Sequence, residues 1–262
     1  MSQMLFQQLS EANQLRLIDK YLQQMTSIEK KTYEIAKRYT DKAFSVDIYG
    51  LGYKRAYGVN KTSCEYIMTL DSDQVLEENA LEVMIKELED NNFVGLQATL
   101  KSIKNETYWE DAMEYNVSDM VMTEPQKTFT LGTPALYKAS ILKSNNFDET
   151  ISGSCDDTDL AYRLSKQNYK LGISTAICYQ KHRSTFKSTL KKFMWYGEGD
   201  CEFGLKHKER LWSIFSHPIK NYFFRKSFYA LNNGDIKFVP FFMFTGIARH
   251  IGFYKFLLKR LF

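Results

Sequence analysis

Apolar and polar positions alternate along the chain with two periods, one typical of helices and one typical of strands. In the first forty residues the apolar positions recur at helical spacing, which predicts two helices and no strand before residue 44. Farther on, the predicted strands are residues 44–48, 65–70, 93–100 and 173–178, and the predicted helices include 54–61 and 77–88. This alternation predicts an α/β fold with a mainly parallel sheet flanked by helices.

Composition narrows the class of protein. A chain of 262 residues that is 44% hydrophobic can bury one large core. The net charge of +4 is too small to indicate nucleic-acid binding. The four cysteines form no C-x-x-C pair, which argues against a zinc site or a disulfide framework and favours a reducing compartment. No signal peptide is evident, so we expect a cytoplasmic protein.

Two aspartates follow the apolar run at residues 66–68. On a strand, Asp71 and Asp73 would point to the same face, because side chains two positions apart do so. Ligands bind at the carboxyl ends of strands in α/β sheets, and carboxylates there suit Mg²⁺ or Mn²⁺ holding a diphosphate. The pattern indicates a nucleotide-sugar site. The alternative is a turn that caps a helix beginning near Glu77.

A basic segment lies just before this acidic pair. Gly50 and Gly52 allow a sharp turn into a helix whose first residues include Lys54 and Arg55. A helix N-terminus with basic side chains is suited to anions, so Lys54 and Arg55 are candidates for binding the donor diphosphate. A simple turn is the alternative interpretation.

A second acidic cluster contains Asp156, Asp157 and Asp159 at the start of a predicted helix. Three carboxylates within four residues repel one another, and one acid would suffice to cap a helix. Asp156 and Asp157 are therefore candidates for a general base that takes a proton from an acceptor hydroxyl. Asp159 and Arg163, four residues apart, favour a structural ion pair.

His182 follows the last predicted strand. It is either a surface histidine or a ligand that completes, with Asp73, the coordination of the cation, since neutral imidazole accepts Mn²⁺.

The carboxyl-terminal residues 216–262 alternate aromatic and basic side chains. The apolar run at 238–247 is too short to span a bilayer. A segment of this type lies well in the plane of an anionic membrane surface, so we predict an amphipathic helical extension at 216–262 after a domain at 1–215. A final helix packed on the core is the alternative.

The motifs, in their order, resemble those of the family-2 glycosyltransferases over roughly residues 30–200. They are Gly-x-x-Arg-x-x-Gly around Arg55, Glu-Tyr-Ile-x-x-Leu-Asp-Ser-Asp ending at Asp73, Gly132-Thr133 with Tyr137-Lys138, Asn146-Phe147-Asp148-Glu149, Asp-Asp-x-Asp-Leu-x-x-Arg-Leu from Asp156, and a strand ending in His182.

The resemblance implies a GT-A-type, Rossmann-like fold and inverting transfer of a hexosyl group from a nucleotide-diphosphate donor to a glycan or lipid-linked acceptor. It implies that Asp71 faces the nucleotide ribose, that Asp73 and His182 hold Mn²⁺ or Mg²⁺, and that Arg55 binds the donor. Asp157 stands where the family keeps its catalytic base, and Asp156 replaces the glutamate that commonly precedes it. We expect the protein to act at the inner face of a membrane and to contact that membrane peripherally.

One departure keeps other functions open. Family members normally begin with a strand carrying Pro-x-Tyr-Asn-Glu and a second ending in Asp-Gly-Ser, which together hold the nucleotide base, and neither motif occurs here. We therefore expect the first strands to be missing and the base pocket to be incomplete. Either the chain starts downstream of the usual beginning, or an altered amino terminus covers the sheet edge, or the protein has lost catalysis. A binding or scaffold relative and a metal-dependent phosphoryl-transfer enzyme are the alternatives.

Overall fold

The computed structural model describes residues 26–27, 30–46, 50–118 and 121–261. Within them the chain divides into two compact units that interleave along the sequence. The first comprises residues up to 99, with 122–150 and 157–179, and the second comprises 100–121, 151–156 and everything from 180 onward. The predicted extension at 216–262 lies within the second unit, and its standing as a separate domain stays a prediction.

Strands and helices alternate through the first two thirds of the described chain. The strands are β1 (Thr26–Ser27), β2 (Phe44–Ser45), β3 (Tyr66–Thr69), β4 (Gln74–Leu76), β5 (Gly95–Ser102), β6 (Gln126–Thr128), β7 (Ala135–Lys138) and β8 (Leu171–Gln180). The helices are α1 (Lys30–Ala36), α2 (Leu51–Lys61), α3 (Ala80–Asp90), α4 (Tyr108–Val117), α5 (Ala139–Asn145), α6 (Asp156–Lys166), α7 (Phe186–Lys206), α8 (Leu211–Pro218), α9 (Ser227–Asn232) and α10 (Val239–Leu261). The predicted α/β architecture with a helical carboxyl-terminal region is confirmed.

Six strands form one sheet, most of which belongs to the first unit. Its order is β3-β7-β5-β8-β4, and β6 pairs with β8. Strand β7 runs antiparallel to both its neighbours, so that Ala135 lies opposite Thr69 of β3 and opposite Gln97 of β5. The sheet is therefore mixed where the sequence predicted a mainly parallel one, because β7 returns between two strands that share a direction.

Strands β5 and β8 run in the same direction. Val94 donates a backbone hydrogen bond to Lys170 at 2.9 Å near their beginnings, and Ile103 donates one to Gln180 at 3.2 Å near their ends. Parallel neighbours bring their carboxyl ends to the same edge of a sheet.

The amino-terminal elements differ from the prediction. Strand β1 pairs in parallel with β2, and α1 connects them, so the expectation of no strand before residue 44 is wrong. Strand β1 is only two residues long, which leaves no apolar alternation to detect in the sequence. The first of the two predicted amino-terminal helices lies outside the described residues, and the second corresponds to α1.

The core of the first unit lies between the sheet and three helices. Small and branched apolar side chains of α2, α5 and α6 cover one face of β7. The buried members of this core are Ala56, Val59, Leu131, Ala135, Tyr137, Leu142, Phe147, Leu160, Ala161, Leu164 and Leu171. Burial of this surface holds α2 and α6, the two helices that carry candidate site residues, against the same layer of the sheet.

The second unit is helical and rich in aromatic side chains. A π-helix (Ile219–Lys226) continues α8 into α9, and α10 packs along α7. The buried core of this unit contains Ala112, Met113, Phe193, Tyr222, Ala230, Phe238, Phe241, Phe242 and Ala248. Among the described helices, including the 23 residues of α10, none has the apolar run that crossing a bilayer requires.

Glycines let α7 and α10 approach each other closely. A Cβ atom added at Gly197 of α7 would lie 1.9 Å from the carbonyl oxygen of Arg249, and one at Gly252 of α10 would lie 1.9 Å from that of Met194. Neither position accepts any side chain unless the helices separate, because the obstructing atoms belong to the backbone.

We predict that Gly252→Ala destabilises the protein by about 1–3 kcal/mol, as overpacking does, although alanine is the better helix former by about 1 kcal/mol. The matched control is Gly246→Ala in the same helix, where the new Cβ meets the ring of Phe223 at 2.7 Å, a side chain that can rotate away. Urea unfolding measures both. A Gly252→Ala variant as stable as the wild type would contradict the close helix contact.

Candidate active site

The first acidic pair lies in a turn. Strand β3 ends at Thr69, and residues 71–73 form a tight turn in which Gln74 N–H donates to the Asp71 carbonyl at 3.1 Å and Asp71 N–H donates to Gln74 Oε1 at 2.9 Å. The prediction that the pleat of a strand aligns the two carboxylates is therefore wrong. The alternative of a helix cap is also wrong, since α3 begins at Ala80, after Asn79.

Asp71 is bound from two sides. Its Oδ1 lies 3.3 Å from Nη2 of Arg55, and its Oδ2 accepts a hydrogen bond of 2.6 Å from the Thr133 hydroxyl. The Arg55 side chain is mostly buried, and its guanidinium lies 5.7 Å from the centre of the Phe147 ring. Arg55 and Asp71, both predicted to contact the donor, are thus brought together by the fold.

Asp157 lies beside the residue that precedes Thr133. A Cβ atom added at Gly132 would stand 3.8 Å from Asp157 Oδ2 and 3.5 Å from Gln97 Oε1, and Gly132 N–H donates to that Gln97 oxygen at 2.5 Å. The bare glycine therefore leaves the Asp157 carboxylate facing the loop that enters β7.

Consecutive residues of one loop connect the two candidate acids. Thr133 bonds to Asp71 and Gly132 faces Asp157, so that standard backbone dimensions limit the distance between the two carboxylates to roughly 14 Å. Residues 86 positions apart in sequence therefore meet at one edge of the first unit, and both remain partly exposed there.

Burial distinguishes the members of the second acidic cluster. Asp156 is 1% exposed and Asp159 is fully buried, whereas Asp157 is partly exposed. Thr158 N–H donates to Asp157 Oδ1 at 2.7 Å, which leaves Oδ2 on the side of Gly132. Only Asp157 among the three is placed to meet a hydroxyl that arrives from solvent.

A buried ion pair holds α6, the helix that begins with this cluster. Nε of Arg163 donates to Asp159 Oδ2 at 2.8 Å, which agrees with the structural pair favoured from the sequence. The same guanidinium donates from Nη2 to the Asn146 carbonyl at 2.6 Å and from Nη1 to the Asn145 carbonyl. One arginine thus joins α6 to the turn after α5.

The turn after α5 is also bound to α2. The Asn146 amide donates to Asn60 Oδ1 at 3.0 Å and to the Ala56 carbonyl at 3.3 Å. Since α2 carries Arg55 and α6 carries Asp157, the bonds through Arg163 and Asn146 set the relative position of these two residues.

Helix α2 begins earlier than predicted, at Leu51. Gly50 precedes it with φ 126°, a conformation that side chains rarely adopt, so the sharp turn expected from the glycines is present. Lys54 is half-buried on this helix, and its role in donor binding stays a prediction.

Asp73, like Asp71, lies near the Cys178 thiol, and its role as a metal ligand stays a prediction. The thiol stays protonated because burial, assisted by Asp73 and Asp71, raises its pKa to about 12. No three His, Cys, Asp or Glu side chains of the described residues cluster as a metal site. Mg²⁺ commonly takes one or two carboxylates and completes its shell with substrate phosphates and water, which the single carboxylate of Asp73 fits.

His182 lies in the second unit, two residues after β8. Burial, together with the positive charge of Lys192, lowers its pKa to about 4, so the imidazole is neutral at physiological pH. Neither ring nitrogen has a hydrogen-bond partner within the described residues. A neutral imidazole is the form that binds a metal, and its pairing with Asp73 stays a prediction.

Comparison with known families gives this site a context. Residues 26–145, which include α2, the acidic turn and β7, match the family model described as Glycosyl transferase family 2. Over these residues, just under half of the chain, the predicted resemblance to the family-2 glycosyltransferases is confirmed.

One curated relative of this family-2 domain is an "Uncharacterized glycosyltransferase" of Rickettsia bellii (strain RML369-C), which is 31% identical over 122 residues. The match covers 46% of this chain and 18% of the relative, so the chain spans under a fifth of that protein.

Solved structures with a similar fold include two of S. aureus TarS 1-349. The first has a TM-score of 0.46 at 14% identity and covers 71% of this chain and 60% of the other. The second, in complex with UDP-GlcNAc, has a TM-score of 0.47 at 14% identity, with coverages of 65% and 54%. GalNAc-T7 with UDP, GalNAc and Mn²⁺ has a TM-score of 0.46 at 13% identity, with coverages of 60% and 36%.

Several residues of the family-2 domain's site were not assigned a role from the sequence. Thr133 bonds to Asp71, Gln97 binds the Gly132 backbone, and Gln74 donates to the Thr133 carbonyl at 3.0 Å. Gly132-Thr133 was noted as a motif, but its partners lie more than 30 residues away. Only the pairing of β7 with β3 and β5 brings them together.

Glu202 of α7 is another residue without a predicted role. Within the second unit its nearly buried carboxylate accepts hydrogen bonds from Ser152 N–H at 3.2 Å, Ser152 Oγ at 3.1 Å and Gly153 N–H at 3.1 Å. These bonds fix the loop whose next residues, Cys155 and Asp156, lead directly into Asp157.

We predict that Arg163→Met destabilises the protein by about 3–5 kcal/mol, because the fully buried Asp159 carboxylate then lacks its charge partner. Adding Asp159→Asn to this variant should recover part of the loss, since no buried charge then remains. The control is Lys86→Met, which breaks an exposed pair with Asp90 and should cost less than about 1 kcal/mol. Equal losses of stability in Arg163→Met and Lys86→Met would contradict the role of the Asp159–Arg163 pair.

Proposed function

We propose that the protein is an inverting, metal-dependent glycosyltransferase that moves a hexosyl group from a nucleotide-diphosphate donor to a hydroxyl of a glycan or lipid-linked acceptor. The observation that carries this proposal is the loop at 132–133. Its Thr133 donates a hydrogen bond to Asp71, the proposed donor-side acid, and its Gly132 lies beside Asp157, the proposed acceptor-side acid. A transferase needs these two functions within one substrate length of each other, and the family match supports the reaction class.

The donor side consists of Asp71, Arg55 and Lys54. Asp71 is held by Arg55 and Thr133 and in this position would bind the nucleotide ribose. Arg55 and Lys54 add positive charge near the helix end where the diphosphate would lie. Asp73, with His182 as second ligand, would hold Mn²⁺ or Mg²⁺, which neutralises charge that develops on the leaving diphosphate.

The acceptor side depends on Asp157. Its Oδ1 is fixed by Thr158, and its Oδ2 would take the proton of the acceptor hydroxyl as that oxygen attacks the anomeric carbon. The bond from the anomeric carbon to the diphosphate oxygen breaks on the opposite face, and the electron pair leaves with the diphosphate. Attack opposite the leaving group inverts the anomeric configuration.

The proposed location is the cytoplasm, at the inner face of a membrane. Residues 216–262 carry eight Lys or Arg against one Asp, whereas the whole chain has a net charge of only +4. An enzyme that builds a surface glycan or a lipid-linked precursor must reach acceptors held at the bilayer, and a basic, aromatic segment supplies the attraction.

We predict that Asp157→Asn lowers the rate of sugar transfer by at least about 10²-fold while donor binding persists, because only the proton acceptor is lost. The same substitution at the buried Asp156 should have a smaller effect on the rate and thereby assigns the base. Asp90→Asn, at an exposed position of α3, is the control. Normal turnover by Asp157→Asn would refute the assignment.

We predict that a nucleotide sugar together with Mn²⁺ raises the melting temperature of the wild type and not that of Asp73→Asn, because a ligand that binds only the native state stabilises it. A screen of nucleotide sugars by thermal denaturation identifies the donor. Stabilisation without any transfer to glycan or lipid acceptors would favour a binding or scaffold protein. Release of phosphate without sugar transfer would favour a phosphoryl-transfer enzyme.

A further inference from the structure

Helix α10 is apolar on two opposite sides. One side packs on α7 and the π-helix and contains the buried residues Phe241, Phe242, Ala248, Gly252 and Phe253. A helix of a globular protein normally turns charged and polar side chains to the side facing away from the core. Here that outer side is also apolar.

The outer apolar side forms one continuous stripe. Its members, each between 45% and 54% exposed, are Met243, Ile247, Ile251, Tyr254 and Leu258. At 3.6 residues per turn these five positions fall within an arc of about 80°. Their steps of three and four residues place them one above another along the helix. We call this row the α10 stripe.

Neighbouring helices of the same unit extend the stripe into a wider apolar surface. Ile219 and Phe223 line a shallow groove whose other lining includes Ile247, Ile251 and Tyr254. Beyond the groove, Trp212 is 74% exposed. It stacks at 5.9 Å on Phe215, whose ring lies 6.0 Å from Tyr254.

Basic residues lie near the carboxyl-terminal end of the α10 stripe. Lys255 lies about 40° beyond one edge of the stripe and pairs with Glu198 of α7 at 2.5 Å, and the exposed Lys259 and Arg260 follow at the end of the helix. The only acid in residues 216–262 is Asp235, before the helix begins. The end of the apolar row is therefore basic.

We propose that the α10 stripe, with the adjoining groove and Trp212, is a docking face that inserts its apolar side chains shallowly into an anionic lipid bilayer. Apolar side chains enter the acyl boundary while the flanking Lys and Arg contact anionic headgroups, and an exposed tryptophan suits the interfacial layer. The inference deepens the membrane location in the proposed function and rests on it only for the identity of the acceptor.

Charge favours a bilayer over a second copy of this chain. Of the eight basic residues in 216–262, Arg249 pairs with Asp200 and Lys255 with Glu198, and the remaining six still outnumber the one acid. Two copies meeting at this face would bring two such basic segments together, and like charges at an interface oppose association. An anionic membrane, by contrast, attracts such a segment.

Sedimentation with vesicles tests the proposal on the full chain. The wild type should bind vesicles of phosphatidylcholine with about one third phosphatidylglycerol and bind pure phosphatidylcholine at least about tenfold more weakly. Ile247→Gln with Ile251→Gln should lower binding to the anionic vesicles by at least about tenfold, because the apolar insertion is lost. Lys259→Gln with Arg260→Gln should also weaken binding, and this loss should shrink at high salt.

Matched controls separate the stripe from general surface effects. Phe129→Gln removes a 69% exposed aromatic side chain from the first unit, and Lys86→Gln with Lys104→Gln removes two exposed charges elsewhere. All three changes should leave vesicle binding unchanged. Asp157→Asn should also bind as the wild type does, so a failure of the catalytic proposal is distinguishable from a failure of this one.

Three results would overturn the proposal. The first is the absence of wild-type binding to anionic vesicles. The second is binding that the stripe variants retain in full while circular dichroism shows them folded. The third is a dimer in sedimentation equilibrium that the Ile247 and Ile251 substitutions dissociate without any vesicle binding, which would make the face a protein interface.

Discussion

The buried pair of Asp159 and Arg163 is the interaction on which the candidate site depends. The arginine satisfies a carboxylate that is fully buried and also binds the Asn145 and Asn146 carbonyls, and the Asn146 side chain then binds α2. Helices that meet the sheet only through apolar burial could slide, since hydrophobic contact is not directional. Directional bonds from one guanidinium, continued by the Asn146 side chain, fix the two helices that carry Arg55 and Asp157.

The loop that enters β7 brings Asp71 and Asp157 near each other. Thr133 is bound to Asp71, and Gly132, the residue before it, lies beside Asp157. Because β7 runs antiparallel between β3 and β5, its beginning lies at the edge where the acidic turn is found. The mixed sheet therefore determines which residues lie beside Asp71 and Asp157.

Local patterns predicted what local interactions determine. The order of strands and helices, the sharp turn at Gly50 and the Asp159–Arg163 pair all follow from periodicity or i,i+4 spacing. Three features could not be predicted, because each depends on partners brought together by strand pairing or helix packing. They are the turn at Asp71 to Asp73, the hydrogen bond from Thr133 to Asp71, and the hydrogen bond from Gly153 N–H to Glu202. Single-sequence periodicity also misses a strand as short as β1.

We propose that Asp73 and Asp157 serve opposite ends of one transfer site. An anomalous difference map from crystals grown with Mn²⁺ and a nucleoside diphosphate tests it most directly. We expect a manganese peak within coordination distance of an Asp73 oxygen, with the diphosphate between the metal and Arg55 and open space toward Asp157. A manganese site elsewhere in the protein, with the 71–73 turn unoccupied, would contradict it.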